Sequence, residues 1–204
     1  IANKKFVEFE QMGVTGYSML WEVEKRNILD NLVDFFSEEL NETQFIPTYF
    51  EVRYGMKHLD FQESEISTEE PVPLKLAGKT VNLRGRIDRI DVTKDGKRAR
   101  VRDYKTGKVS VKPNDFQGGR TLQLPLYLYA ARQLLGRLHK GIEVESAEYY
   151  SLKNGKIVGF EGSELKAKEA KLQENLKTIA GSIEDGVFIA VPDGQCRYCE
   201  FKII

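Results

Sequence analysis

The sequence predicts an α/β protein with a mixed central β-sheet, an antiparallel meander within it, and helices on its flanks. Three observations lead there. Segments 18–40, 118–135 and 163–185 carry helical patterning, and the stretches between them hold runs of β-branched and aromatic residues. Turn sequences such as Lys94-Asp95-Gly96-Lys97 and Lys153-Asn154-Gly155-Lys156 separate those runs at hairpin spacing. No linker, internal repeat or low-complexity stretch divides the 204 residues, so residues 1–204 read as a single domain. With 41% hydrophobic and 30% charged residues, the composition excludes disordered, collagen-like and coiled-coil classes.

The first strong element is 18–40, where Leu20, Val23, Ile28, Leu32, Phe35, Phe36 and Leu40 form an apolar stripe with acids expected outside. A strand over 45–54 ends at Gly55, and Pro47 suits a strand start or an edge. Residues 57–72 show no period and read as a loop. Strands over 73–76, 80–92 and 98–105 then form the meander. In the helix over 118–135, Pro125 falls within the first turns, where a missing N–H is tolerated. A strand over 143–152, a short partner over 157–160 and a charged helix over 163–185 complete the order, before a cysteine-bearing tail over 186–204.

Net charge is zero, but its distribution is uneven. Residues 1–70 carry 6 basic and 15 acidic side chains, net −9, whereas residues 81–140 carry 15 basic and 5 acidic, net +10. Such a basic middle fits a polyanion-binding surface, and equally fits charges that only solvate strands and helix faces. No run approaches the ~18 apolar residues of a membrane span, so a soluble, cytoplasmic protein without membrane partners is expected. The chain begins at Ile1 rather than methionine and stops at Ile204 within a hydrophobic segment, and it reads as a piece of a longer protein.

The chemistry concentrates in two strands and a helix. In Asp103-Tyr104-Lys105, alternation puts Asp103 and Lys105 on one face and Tyr104 on the other. With residues 95 and 96 at the centre of the hairpin turn, Asp88 falls opposite Asp103. Two carboxylates about 4.5–5.5 Å apart repel unless a positive charge lies between them, and a hard divalent cation such as Mg²⁺ resolves that repulsion. Lys105 would orient or help deprotonate water, which together describes metal-dependent phosphodiester hydrolysis. The plainer alternative is a pair of strand acids balanced by Arg86, Arg89 and Arg102. Gln123 and Tyr127, four apart near a helix start, would hold a phosphate or the attacking water in line, or else belong to an amphipathic helix with a half-buried tyrosine.

Gly85-x-x-Asp88-Arg89-x-Asp91, Asp103-Tyr104-Lys105-Thr106-Gly107 and Gln123-x-x-x-Tyr127, in this order on strand, strand and helix, resemble the PD-(D/E)XK nuclease superfamily in its RecB/AddB-like branch. The resemblance extends to the N-terminal helix, to Glu51-x-x-Tyr54-Gly55 and to the later strand pair, and implies a restriction-endonuclease-like core. It further implies that Asp88 and Asp103 ligate the metal, with the backbone carbonyl of Tyr104 completing the set. Lys105 would be the catalytic lysine, and Gln123 and Tyr127 the helix motif of the branch. Asp91 reads as a structural partner of Arg89 or Arg102. Members of the branch often supply a histidine ligand from an earlier helix, and neither His58 nor His139 occupies such a place. His58 reads as a loop residue, His139 as a helix-end residue, and Glu51 as structural though within range of the metal. Cys196-Arg-Tyr-Cys199 resembles part of the AddB-type cysteine segment that holds a 4Fe-4S cluster. Two cysteines cannot complete such a cluster, so it is expected only in a longer parent.

The expectation is thus a Mg²⁺-dependent deoxyribonuclease, with Mn²⁺ as substitute, acting as an exonuclease on DNA ends in recombination or repair. Its parent would be a helicase–nuclease subunit, although no Gly-rich phosphate loop occurs in these residues. Arg84, Arg86, Lys108, Lys112 and Arg120 are candidates for DNA phosphate contacts, and nearby aromatics for stacking on single-stranded ends. The rival reading is a nuclease-like module that binds DNA or a partner subunit without cutting. A third is a hydrolase of RNA or small phosphate esters.

Overall fold

A computed structural model describes residues 1–57, 64–76, 78–107, 109 and 116–189. His58, Lys108, Lys112, Cys196 and Cys199 lie outside the described residues. The chain runs α1 (Ala2–Gln11), α2 (Ser18–Asn41), β1 (Phe45–Tyr54), β2 (Val72–Leu76), β3 (Lys79–Leu83), β4 (Gly85–Thr93) and β5 (Arg98–Lys105). A 3₁₀ turn at Phe116–Gly119 precedes α3 (Gln123–Leu138), β6 (Glu143–Ser151), β7 (Ile157–Glu161), α4 (Gly162–Ala167) and α5 (Glu169–Glu184). Five strands form one mixed sheet in the order β1-β4-β5-β6-β7, in which only β5 and β6 are parallel. The predicted α/β class with a mixed sheet flanked by helices is the class observed.

That single parallel pair follows from connection length. The β4–β5 turn is short enough for a hairpin, whereas α3 spans the gap between β5 and β6 and returns the chain in the same direction. Leu124, Leu128, Leu134 and Leu135 of α3 are fully buried against Ile90, Val101, Val144 and Ala147 of the sheet. Each such leucine contributes about 2 kcal/mol of burial. β1 is an edge strand and Pro47 sits where its register with β4 shifts, a place where a missing N–H disrupts no regular ladder.

Three predicted elements differ. The long strand 80–92 breaks at Arg84: β3 pairs with β2 in a separate two-stranded sheet, and β4 begins at Gly85. Just after the break the Tyr54 hydroxyl approaches so closely that a Cβ on Gly85 would lie 2.8 Å from it, so glycine leaves room for the Tyr54 side chain where β1 pairs with β4. The helix expected from 118 starts only at Gln123, because Gly118 and Gly119 hold φ of 63° and 96° and close the preceding 3₁₀ turn instead. The 163–185 helix is two helices, with Lys168 at φ −109° and ψ 8° between them. α4 then lies along β6 and β7 while α5 reaches the Phe116–Gly119 turn and β2. Hydropathy patterning does not predict helix α1, since its face is mostly polar; Phe6 anchors it edge-on against Trp21 with ring centroids 5.5 Å apart.

Helix α2 occupies the predicted span with a different inward face. Trp21, Lys25, Ile28, Leu32, Phe35 and Glu39 are partly buried, whereas Leu20, Val23, Phe36 and Leu40 are exposed. The cause lies in the sheet surface it covers, which carries Arg89, Arg100, Arg102, Tyr104 and Tyr150. Glu39 binds Arg89 and Arg102, each at 2.7 Å, and Glu42 binds Arg100 at 3.0 Å. The Tyr150 hydroxyl donates to Glu38 at 2.6 Å, and the Phe35 ring packs edge-on against Tyr104 and Tyr150. Asp91, fully buried, is shared by Arg89 and Arg100, the latter at 2.9 Å, and Arg102 also meets Glu148 at 2.6 Å. Asp91 is therefore a structural partner of Arg89, as expected, and of Arg100 rather than Arg102.

Candidate active site

On the opposite face of the sheet, the β4–β5 hairpin and the start of α3 meet. The hairpin pairs Arg89 with Arg102, Ile90 with Val101, Asp91 with Arg100 and Val92 with Ala99. Continuing this register sets Asp88 against Asp103, as the turn position predicts. Beyond Arg89 the regular pairing stops, and a side chain takes over: Asp88 Oδ2 accepts the Tyr104 N–H at 3.1 Å. The Tyr104 phenol faces the other way and accepts from Arg89 Nη1 at 2.8 Å, so the stretch Asp103-Tyr104-Lys105 is held from both sides of the sheet.

Asp103 is 2% exposed. Its Oδ2 lies 2.5 Å from the Lys105 ammonium, and its Oδ1 accepts from Gln123 Nε2 at 3.0 Å. The same amide donates to the Tyr127 hydroxyl at 3.0 Å, while Gln123 Oε1 accepts from Lys105 Nζ at 3.2 Å. Asp88, Asp103, Lys105, Gln123 and Tyr127 thus share one polar cluster. Burial pushes the Asp103 carboxyl above the usual carboxylate range, and Asp88 adds to this; the Lys105 ammonium opposes both. Burial also raises the Tyr127 phenol, with Asp103 and Asp88 adding to it against the Gln123 hydrogen bond and Arg86.

The donor set suits a hard cation. Despite the nearby ammonium, no hydrogen bond is aligned on the buried Asp103 Oδ2, which leaves an oxygen lone pair unsatisfied inside the cluster. Among the described residues no three His, Cys, Asp or Glu side chains converge as a metal-binding group. A cation here would accordingly be held by Asp88 and Asp103, with the Tyr104 backbone carbonyl and water supplying further oxygens.

The remaining candidates separate. Arg86 is exposed and pairs with Glu51 at 2.9 Å, close enough to the cluster to act on Tyr127. Glu51 itself has φ 51° and by register stands opposite Asp88 of β4. Arg84 is exposed beside Gly55, and Arg120 is exposed just before α3. His139 ends α3, and its ring meets the Tyr49 hydroxyl.

Sequence reasoning missed Tyr149. It lies on β6 in register with Asp103, and its hydroxyl donates to Gln123 Oε1 at 3.0 Å. The Lys105 ammonium stands 4.9 Å from the centre of its ring. The sequence predicts the strand, but nothing local to it reveals that it pairs in parallel beside Asp103.

The sequence model of the PD-(D/E)XK nuclease superfamily matches residues 5–204. The chain is 36% identical over 129 residues, 61% of its length, to an ATP-dependent helicase/deoxyribonuclease subunit of Symbiobacterium thermophilum. Identity is 32% over 128 residues to the protein of that name from Thermoanaerobacter sp. and 33% over 111 residues to that of Clostridium tetani. The chain spans about a tenth of the length of these curated relatives. No described helix is long and apolar enough to cross a membrane.

Proposed function

Since the chain belongs to the PD-(D/E)XK nuclease superfamily, we propose that it hydrolyses phosphodiester bonds of DNA, working from ends in recombination or repair as the nuclease part of a helicase–nuclease subunit. The observation that carries this reading is the buried Asp103, ringed by Asp88, Lys105, Gln123 and Tyr127. A scaffold gains nothing from two neighbouring carboxylates, one of them desolvated. A divalent cation, Mg²⁺ or Mn²⁺ in its place, would be held by Asp88, Asp103 and the Tyr104 carbonyl and would supply neutralisation of charge at the scissile phosphate.

The chain's own residues divide the remaining work. Lys105 holds a proton on Nζ and directs it at the reacting centre, stabilising negative charge and orienting the attacking water. Gln123 and Tyr127 stand one helical turn apart and fix the direction of approach through the amide and phenol, so little freedom remains to be lost in the transition state. Arg84, Arg86 and Arg120 lie on exposed positions suited to the DNA backbone, with Lys108 and Lys112 assigned the same role. Single-stranded ends, cytoplasmic location, and a 4Fe-4S cluster through Cys196 and Cys199 in a longer parent belong to the same proposal.

End-labelled single- and double-stranded DNA, with RNA as competitor, incubated with Mg²⁺ or Mn²⁺ tests it. Cleavage abolished by EDTA and by Asp103→Ala is the expected outcome. DNA binding without cleavage under all these conditions would instead favour the non-cutting module.

A further inference from the structure

Gln123 uses its full hydrogen-bonding capacity. Its two N–H groups go to Asp103 Oδ1 and the Tyr127 hydroxyl, and its carbonyl accepts from Lys105 and from Tyr149. A primary amide is nearly symmetric in shape, so which end faces Asp103 depends on these partners. Turned over, it would press its oxygen against a carboxylate and its NH₂ against an ammonium. Of the two donors on the carbonyl, Lys105 is a flexible chain that also serves Asp103. Tyr149 is rigid, half-buried, and fixed by the β5–β6 ladder in register with Asp103.

We propose that Tyr149 is a positioning residue of the Asp103 cluster: its hydroxyl locks the orientation of the Gln123 amide, and its ring seats the Lys105 ammonium. The inference rests on the nuclease reading of that cluster. Burial pushes the Tyr149 phenol up to about 12, with the charge of Asp103 contributing, so the hydroxyl remains a donor across the neutral range. The ring face 4.9 Å from Lys105 Nζ attracts the cation without taking its proton, so Lys105 stays beside Asp103 rather than extending toward solvent.

Tyr149→Phe removes the hydroxyl and keeps the ring, and Tyr149→Leu removes both. The first readout is the side-chain amide of Gln123 in ¹⁵N-glutamine-labelled protein without metal, identified by its loss in Gln123→Ala. In wild type this pair should be shifted from the solvent-exposed amides and exchange slowly with water. In Tyr149→Phe it should move toward them and exchange about 10-fold faster. The second readout is cleavage with Mg²⁺, where kcat should fall about 10-fold with KM for DNA unchanged, and further in Tyr149→Leu. An unchanged Gln123 amide together with wild-type kcat in Tyr149→Phe overturns the positioning role and leaves the nuclease reading intact. The amide shift in a protein whose wild type never cuts supports the positioning role and sinks the nuclease reading instead.

Discussion

Lys105 leaves β5 with its ammonium 2.5 Å from Asp103, in contact with Gln123, and over the Tyr149 ring. On the proposed nuclease reading, removing that charge takes away stabilisation needed only as negative charge develops. Lys105→Ala should therefore slow cleavage by at least about 100-fold while changing DNA affinity less than about twofold, as single-turnover rates and titration of labelled DNA would show. Much of this cluster is readable in the chain itself. Alternation in a short strand puts Asp103 and Lys105 together, the turn at Asp95-Gly96 aligns Asp88, and helical spacing joins Gln123 to Tyr127. Tyr149 is not readable, because its place depends on a parallel pairing across a crossover. A tyrosine pair on a strand says only that one ring faces each way.

At the level of elements, the meeting of α2 with the sheet is an ionic lattice rather than an apolar seam. Its centre is Asp91, 0% exposed and shared by two guanidiniums. Neutralising it leaves the buried Arg89 with Glu39 and the partly buried Arg100 with Glu42, each short of one charged partner, so Asp91→Asn should destabilise the fold by about 1–3 kcal/mol, measured as a lower urea midpoint at unchanged slope. The helix span is legible from periodicity, but its inward face is not. Hydropathy assigns acids to the outside, and only the arginines brought together by strand pairing reverse that for Glu39 and Glu42. The strand broken at Arg84 is likewise not readable: the 80–92 pattern is continuous, whereas β3 stays with β2 and β4 joins β1, whose Tyr54 pairs with Gly85 thirty-one residues later.

Over the molecule as a whole, charge counted along the chain overstates the basic surface. Arg89, Arg100 and Arg102 belong to the +10 segment, yet all three are spent on Glu39, Glu42, Asp91 and Glu148. Glu39 and Glu42 of the acidic N-terminal segment thus neutralise part of the basic middle inside the fold. Arg84, Arg86 and Arg120, proposed above for the DNA backbone, are exposed, and Arg86 is close enough to the cluster to act on Tyr127. Were all three to meet DNA phosphates as proposed, the logarithm of single-strand affinity should fall with the logarithm of salt at a slope of about −2. Arg86→Ala should weaken binding across all sequences and make that slope shallower by about 0.7, while its exposed pair with Glu51 leaves the melting temperature nearly unchanged.

The Tyr104 amide bonds to a carboxylate where a regular hairpin would offer a carbonyl. It is therefore a built-in spectator of Asp88: whatever draws that side chain aside unlatches the amide without disturbing the ladder below. In deuterium exchange, Asp88→Ala should speed loss of the Tyr104 amide signal while Ile90 and Val101 keep wild-type protection. Cation binding that recruits Asp88 would write the same trace in the unmutated protein, a record of occupancy that needs neither DNA nor turnover.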